Sequence, residues 1–363
     1  MPQVLVLGAG KIGSLVAALL ATKGEYHVHL ADLTLDAPKR LIEELSLSTV
    51  TPCAVDVRRP DSLEDYVTSH RFDAVLSGLP YFHNPAVAEL ARTHHLHYFD
   101  LTEDVAVTER VKLISEGADR AFIPQCGLAP GFISIVTNDL IGHFDSIDHV
   151  KMRVGALPVH PSNALKYSLT WSTDGLLNEY GNACVGIEGG QEVRLQPLEG
   201  YETIELDGLL YEAFNTSGGL GTLADTYRGR VRTMNYKTLR YPGHCEKIQF
   251  LMNDLKLNED RDTLKRILER AIPQTHQDVV LMYASVTGTR QGELFEETYV
   301  KKVYPRTMMG RLWSAIQVTT ASSLCCVVDL VMASSPDYRG FVRQEDFLLQ
   351  DVLDNRFGDC FRS

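Results

Sequence analysis

The stretch Val4-Leu5-Val6-Leu7-Gly8-Ala9-Gly10-Lys11-Ile12-Gly13 constrains this chain more than any other. An apolar run of strand length enters a glycine turn, and Ile12, Leu15, Val16, Leu19 and Leu20 then recur at helical spacing. Gly8 permits the tight turn, Gly10 lets the backbone approach a pyrophosphate, and Gly13 lets helix and strand pack closely. The helix N-terminus offers backbone N–H groups and the positive end of its dipole to phosphate, with Ala9, Lys11 and Ile12 completing the cradle. An acid, Asp32, lies about 20 residues on, where the dinucleotide fingerprint requires one. A carboxylate there accepts ribose hydroxyls and repels a 2′-phosphate, so NAD is the expected cofactor. Leu33 follows it, and the nearby Lys39 and Arg40 leave NADP possible.

Only a chain with room for more than one core can build on this start, and 363 residues supply it. Apolar content of 44% and charged content of 23% belong to an ordinary globular protein. A formal net charge of −12 argues against nucleic acid or an anionic membrane as main partner. The seven cysteines contain no CxxC pair, which suggests reduced thiols and a cytoplasmic location. No signal peptide is expected, because the first strand begins at once. The run from Ile316 to Ala333 is interrupted by Gln317, Thr319, Thr320, Ser322, Ser323 and Asp329, and reads as a buried helix rather than a membrane span.

Strand and helix then alternate with short links. Strands are expected at His27 to Ala31, Thr49 to Val55, Ala74 to Ser77, His97 to Phe99 and Ala121 to Pro124. Helices are expected at Pro38 to Leu45, after an Asp61 N-cap, and after Asn84 as N-cap with Pro85 at the first position. This predicts a doubly wound parallel sheet whose ligand site lies at the carboxyl edge of the strands. Three loops there are candidates: Gly78-Leu79-Pro80-Tyr81, Asp100 to Asp104, and Gln125 to Gly131. Asp56 and Val57, after the third strand, are placed on the adenine side of the cofactor. From about residue 131 the pattern changes. Phe132 to Ile141 is expected as a helix, Ile147 to Gly155 alternates, Asp262 to Ile272 is an amphipathic helix, and Val279 to Val286 joins Leu294 to Val303 through Gly288 to Gly292 as an antiparallel hairpin. The reading is an N-terminal α/β domain over residues 1–128 with 308–363 packing back on it. A second α+β domain with a mostly antiparallel sheet spans 129–307. His94 and His95 are adjacent and cannot chelate from one helix face; with no other ligand cluster, no metal is expected.

Several stretches together resemble the saccharopine dehydrogenase superfamily, and within it most closely the lysine 6-dehydrogenases. They are Val6 to Gly10, Leu79-Pro80-Tyr81, Gly127 to Gly131 with Pro130, Leu169 to Tyr180, Glu212 to Gly219, and Arg240 to Lys247. The resemblance implies NAD(P)-dependent oxidation at a C–N bond of lysine or saccharopine, and a homodimer. Gln125-Cys126 stands where some lysine 6-dehydrogenases carry an acid. A carboxynorspermidine-type dehydrogenase and a non-catalytic NAD-binding protein are the alternatives.

Such a reaction needs a hydride acceptor, which the cofactor brings, and a group to take the amine proton. Asp100 and Glu103, on the loop after the fifth strand, are the carboxylate candidates, each also a plausible helix cap. Tyr81 either donates its hydroxyl or packs. His244 is a candidate proton carrier, and Arg240 a fork-shaped partner for an α-carboxylate. Cys126, Lys166, Trp171, Ser172, Thr216 and Ser217 are substrate-pocket candidates, with Ser217-Gly218-Gly219 offering backbone N–H groups to a carboxylate.

Overall fold

The computed structural model describes residues 1–334 and 337–362. It divides into two compact units. Unit 1 comprises Met1–Phe132, Met309–Arg311 and Gln317–Ser363, and unit 2 comprises Ile133–Met308 and Leu312–Ile316.

Unit 1 contains the strands β1 (Gln3–Leu7), β2 (His27–Asp32), β3 (Val50–Ala54), β4 (Ala74–Ser77), β5 (His97–Asp100) and β6 (Ala121–Ile123). Its helices are α1 (Lys11–Lys23), α2 (Asp36–Leu45), α3 (Pro60–Ser69), α4 (Asn84–Thr93) and α5 (Val105–Ile114). The sheet is parallel throughout, in the order β6, β5, β4, β1, β2, β3, with the short strand Gly340–Phe341 added beside β6. Strands covered on both faces must be apolar almost throughout, as are Val4 to Leu7 of β1, Ala74 to Leu76 of β4 and all of β6. Leu5, Leu7, Val75, Tyr98 and Phe122 form the core with Val87, Leu90 and Val111 from the helices.

The strand order reverses at β1, which pairs with β2 on one side and β4 on the other. This is the switch point at which such sheets leave a crevice. It brings the two expected loops side by side: the Gly8 amide donates to Ala31 O at 2.8 Å and the Gly78 amide to Leu7 O at 2.8 Å. Two expected caps are corrected. Arg59, not Asp61, is the N-cap of α3, because the helix starts at Pro60, two residues earlier than expected. Asn84 lies inside α4, and its Oδ1 accepts from the buried Ser77 hydroxyl at 2.7 Å instead of capping.

Unit 2 takes all but the first residue of α6 (Phe132–Ile141), and then β7 (Ser146–Pro158), α7 (Thr173–Gly181), β8 (Cys184–Glu188), β9 (Gln191–Leu195), β10 (Glu202–Leu206) and β11 (Leu209–Asn215). It continues with α8 (Leu223–Tyr227), β12 (Val231–Arg240), α9 (His244–Gln249), α10 (Arg261–Ala271), β13 (Asp278–Arg290) and β14 (Glu293–Val303). The sheet runs β10, β11, β12, β7, β13, β14, with β8 paired to β12 and β9. Every pairing is antiparallel except β7 with β12. The expected five-residue link between β13 and β14 shrinks to Gln291-Gly292, with φ of +54° and +83°. Two consecutive left-handed residues make the turn whose twist matches a hairpin, so the ladder extends to Arg290 and Glu293.

The helix α11 (Ala315–Ala333) begins in unit 2, where the buried Asp278 caps it: the carboxylate accepts from the Ala315 amide at 2.6 Å and the Ile316 amide at 3.0 Å. The rest of α11 belongs to unit 1. By length and composition it would cross a membrane, yet 72% of its apolar window is buried in the protein. Val318, Ala321, Leu324, Cys325, Val328 and Val331 are among the residues it contributes to the core.

Candidate active site

The glycine turn of unit 1 is built as a nucleotide cradle. Gly8 sits at φ +96°, and Gly10, the N-cap of α1, brings no side chain to the helix start. A Cβ on Gly10 would meet no atom within 4 Å, whereas one on Gly13 would lie 1.9 Å from Gly8 O. The turn is thus open where phosphate has to approach and closed where helix must meet strand. Asp32 holds the turn from below: its Oδ2 accepts from the Ala9 amide at 2.8 Å and its Oδ1 from the Leu33 amide at 2.7 Å. Each carboxylate oxygen keeps a second lone pair for a ribose hydroxyl. Gln317 of α11 donates to Lys11 O at 2.8 Å, and Ser14 Oγ to Ala9 O at 2.9 Å, so the turn is fixed before any ligand arrives. These residues fit a dinucleotide. Ile12 and Asp56 are half-buried beside it, as are Val57 and Leu79; Pro80 is exposed, and Tyr81 opens a single 3-10 turn, Tyr81–His83.

The acids after β5 separate into different roles. Asp100 is fully buried, and its carboxylate is already committed. Oδ1 accepts from the amides of Thr102 at 2.9 Å and Gln125 at 3.0 Å, and Oδ2 accepts from the Tyr98 hydroxyl at 2.6 Å. Burial pushes its pKa up despite these bonds. Asp100 therefore ties the β5 and β6 loops together and is not a substrate-facing base, because its position at the strand's end turns it into the sheet. Asp104 caps α5 by accepting from the Val107 amide at 2.8 Å. Glu103 does not cap, and stands half-buried between them. Cys126 is also sealed off: its thiol donates to Ile123 O at 3.1 Å, Gln344 donates to its sulfur at 3.3 Å, and burial raises its pKa well above the thiol range. It packs, and does not line a substrate pocket. Pro130 follows a cis peptide bond in the same loop.

Unit 2 gathers a second set. Arg240, at the end of β12, is fully buried. Its guanidinium lies 4.9 Å from the Tyr167 ring and 5.6 Å from the Tyr180 ring. Nε donates to Tyr180 Oη at 2.8 Å and Nη1 to Leu239 O at 2.8 Å. Among the described residues no carboxylate lies within 4.0 Å of it. Glu179 acts on it only through space, and with the tyrosines holds its pKa high against burial. A buried cation without a direct counter-ion is costly, and an arriving carboxylate would relieve it.

His244 orders this cluster. Its Nδ1 faces Leu165 O at 2.8 Å and its Nε2 faces Tyr180 Oη at 3.0 Å. A carbonyl can only accept, so Nδ1 carries the proton and Nε2 accepts from Tyr180. Burial, aided by Arg240, depresses the imidazole pKa to about 3. His244 is consequently a neutral residue with both nitrogens used, a brace for Tyr180 and Arg240 rather than a proton carrier. Glu212 completes the support by accepting from the amides of Gly243, at 2.7 Å, and Cys245, at 2.5 Å, at the start of α9.

The remaining candidates scatter. Trp171 donates to the Tyr167 hydroxyl at 3.0 Å and belongs to the cluster's wall. The Thr216 hydroxyl is buried with no protein partner. Ser172 is the N-cap of α7, accepting from the Gly175 amide at 3.1 Å, and Ser217 spends its hydroxyl on Ala183 O at 3.1 Å and its amide on Glu179 O at 2.9 Å. Ser217 is therefore not left to receive a carboxylate, whereas Ser172, which only accepts, keeps its hydroxyl proton. Lys166 is exposed at φ +50° and donates to Pro242 O at 3.0 Å. Sequence reasoning did not single out Tyr180, Tyr167 or Glu212, although Tyr180 and Glu212 lie within the stretches quoted for the resemblance. Among the described residues no group of three or more His, Cys, Asp or Glu side chains is placed to hold a metal ion.

A parallel sheet with a glycine turn at its switch point, followed by a mixed-sheet unit with an unpaired buried arginine, defines a dinucleotide-dependent class of chain. Family comparisons make this specific. Residues 4–121 match the saccharopine dehydrogenase NADP binding domain and residues 127–357 the saccharopine dehydrogenase C-terminal domain. The chain belongs to the saccharopine dehydrogenase family. It is 21% identical over 318 residues to the mitochondrial alpha-aminoadipic semialdehyde synthase of Rattus norvegicus, covering 83% of this chain and 33% of that one. It is 24% identical over 267 residues to saccharopine dehydrogenase [NADP(+), L-glutamate-forming] of Schizosaccharomyces pombe, covering 70% of this chain and 58% of that one. The chain thus spans from a third to somewhat over half of these relatives. An apo saccharopine dehydrogenase (L-Glu forming) from Saccharomyces cerevisiae superposes with a TM-score of 0.77 at 18% identity, over 97% of this chain and 96% of that one, which shows the shared fold.

Proposed function

We propose that the protein is an NAD(P)-dependent dehydrogenase that oxidises the carbon bearing the side-chain nitrogen of lysine or a lysine derivative, releasing the amine and leaving a semialdehyde. The observation that carries this reading is Arg240, a buried guanidinium held by Tyr180 and lacking a carboxylate within 4.0 Å. An α-carboxylate supplies what it lacks, through the planar fork that arginine presents.

When bound, the nicotinamide supplies the hydride acceptor. The turn Gly8 to Gly13 and Asp32 would hold the dinucleotide. The chain's own work is proton handling and orientation. Carbon gives up hydride readily only from a neutral amine, so the substrate ammonium must first lose a proton. Asp100 and Asp104, on the loop after β5, spend their carboxylates on backbone amides and are not assigned that proton. Water then adds to the substrate C=N carbon, and the amine leaves with a returned proton. His244 stays neutral throughout and keeps the Tyr180 hydroxyl oriented.

Lysine is the first substrate reading, because the unpaired buried cation found on β12 matches its single carboxylate. Saccharopine is the second, favoured by the name of the Schizosaccharomyces pombe relative. The test is the formation of reduced cofactor from NAD and from NADP against lysine, saccharopine and carboxylated diamines. Turnover with lysine or saccharopine supports the proposal. Tight cofactor binding with no turnover across the panel replaces it with a non-catalytic NAD-binding role.

A further inference from the structure

The loop after β3 carries a charge pair that the fold alone does not need. Asp56 grips Arg58 with both oxygens: Oδ1 accepts from Nε at 2.8 Å and from the Arg58 amide at 3.1 Å, and Oδ2 accepts from Nη2 at 2.9 Å. The arginine is mostly exposed, and such a pair adds little to stability. Its position is more telling. β2 and β3 pair in parallel with Asp32 opposite Ala54, and the Val55 amide donates to Asp32 O at 2.8 Å. Asp56 and Arg58 therefore follow immediately from the strand end beside Asp32, on the carboxyl edge where the adenosine half of a dinucleotide rests. His83, at the end of the Gly78–His83 loop, lies close enough for both Arg58 and Asp56 to act on its pKa, so the loops after β3 and β4 come near each other there.

We propose that the Asp56–Arg58 fork sets the choice between NAD and NADP. This rests on the dinucleotide reading of the glycine turn. While Asp56 holds the Nε–Nη2 edge of the guanidinium, the adenosine side presents a charge-neutralised arginine together with the Asp32 carboxylate, and a 2′-phosphate is disfavoured. When Asp56 lets go, Arg58 is a long, exposed, always-charged side chain beside the ribose, and a phosphate monoester is the group it pairs with best. Lys39 and Arg40 are exposed a turn into α2 and are not anchored at this edge.

Isothermal titration of the purified protein with NAD and NADP reads this without any turnover. Asp56→Asn is expected to raise the affinity for NADP relative to that for NAD at least tenfold. Adding Arg58→Gln to that variant is expected to return NADP affinity to the starting value. An unchanged affinity ratio in Asp56→Asn, or a gain that persists in the double variant, overturns the proposal. If neither dinucleotide binds the unmodified protein, the dinucleotide reading itself fails, a result distinct from an unchanged ratio.

Discussion

At the residue scale, carboxylates and histidines divide by what already occupies their lone pairs. Asp100 is a candidate base on position, but it is buried and three donors take three of its four lone pairs; His244 is a candidate proton carrier, but a carbonyl and a tyrosine use both nitrogens. Neither arrangement is visible in a sequence, because Asp100 depends in part on Gln125, 25 residues on, and His244 on Tyr180 and Leu165, 64 and 79 residues back. The glycine turn is the opposite case, legible because its strand, turn, helix and acid follow one another along the chain. Arg240 is the residue on which the substrate reading depends. Arg240→Lys keeps the charge but loses the fork and the Nε bond to Tyr180. Loss of a buried charge-assisted contact costs on the order of 2–5 kcal/mol. The Michaelis constant is therefore expected to rise by roughly a hundredfold, with kcat falling much less, in steady-state kinetics. Equal losses in both would assign Arg240 to the chemical step instead.

At the element scale, unit 1 was readable almost strand by strand, with ends displaced by a residue or two. Its signals are local: short apolar runs, glycine and proline punctuation, and helices of ordinary length. Unit 2 was read only at β7, α6, α10 and the β13–β14 hairpin. The strands β8 to β12 went unseen because β9 and β10 are largely exposed and carry weak alternation, and because β12 pairs with β7 across more than 80 residues. Parallel pairing at such separation leaves no turn signal to find. The hairpin offers a direct check. Gln291 sits at φ +54° in the turn, a conformation that asparagine adopts more readily. Gln291→Asn is expected to stabilise by ~0.5 kcal/mol and raise the melting temperature, leaving activity unchanged. A lower melting temperature would contradict the turn assignment.

At the scale of the whole molecule, buried neutral imidazoles tie stability to pH. Burial depresses His29 to about 4, His97 to about 4 and His244 to about 3. Unfolded, each returns to 6.5, so between about 4 and 6.5 the unfolded chain binds more protons than the folded one. Their stabilisation is complete above pH 6.5 and is lost as pH falls toward 4, at ~1.4 kcal/mol per pH unit for each group. The raised carboxyls of Asp100 and Asp278 pull the other way in the carboxylate range, so the effect is read best between pH 5 and 6.5. Melting temperature is expected to drop across that interval, and His97→Asn, which keeps an acceptor for the Ala121 amide, is expected to shallow the drop by about a third. A flat profile would mean that these imidazoles are already protonated in the folded protein.

The account as a whole joins a dinucleotide-binding sheet to oxidation at a carbon–nitrogen bond, and isotope transfer tests that union most directly. Lysine or saccharopine carrying deuterium on the carbon next to the side-chain nitrogen is incubated with the protein and each oxidised cofactor, and the reduced cofactor is examined by mass spectrometry. The account predicts deuterium in the nicotinamide ring and a semialdehyde in equal amount. Reduced cofactor without deuterium, or none formed from either substrate, would contradict it.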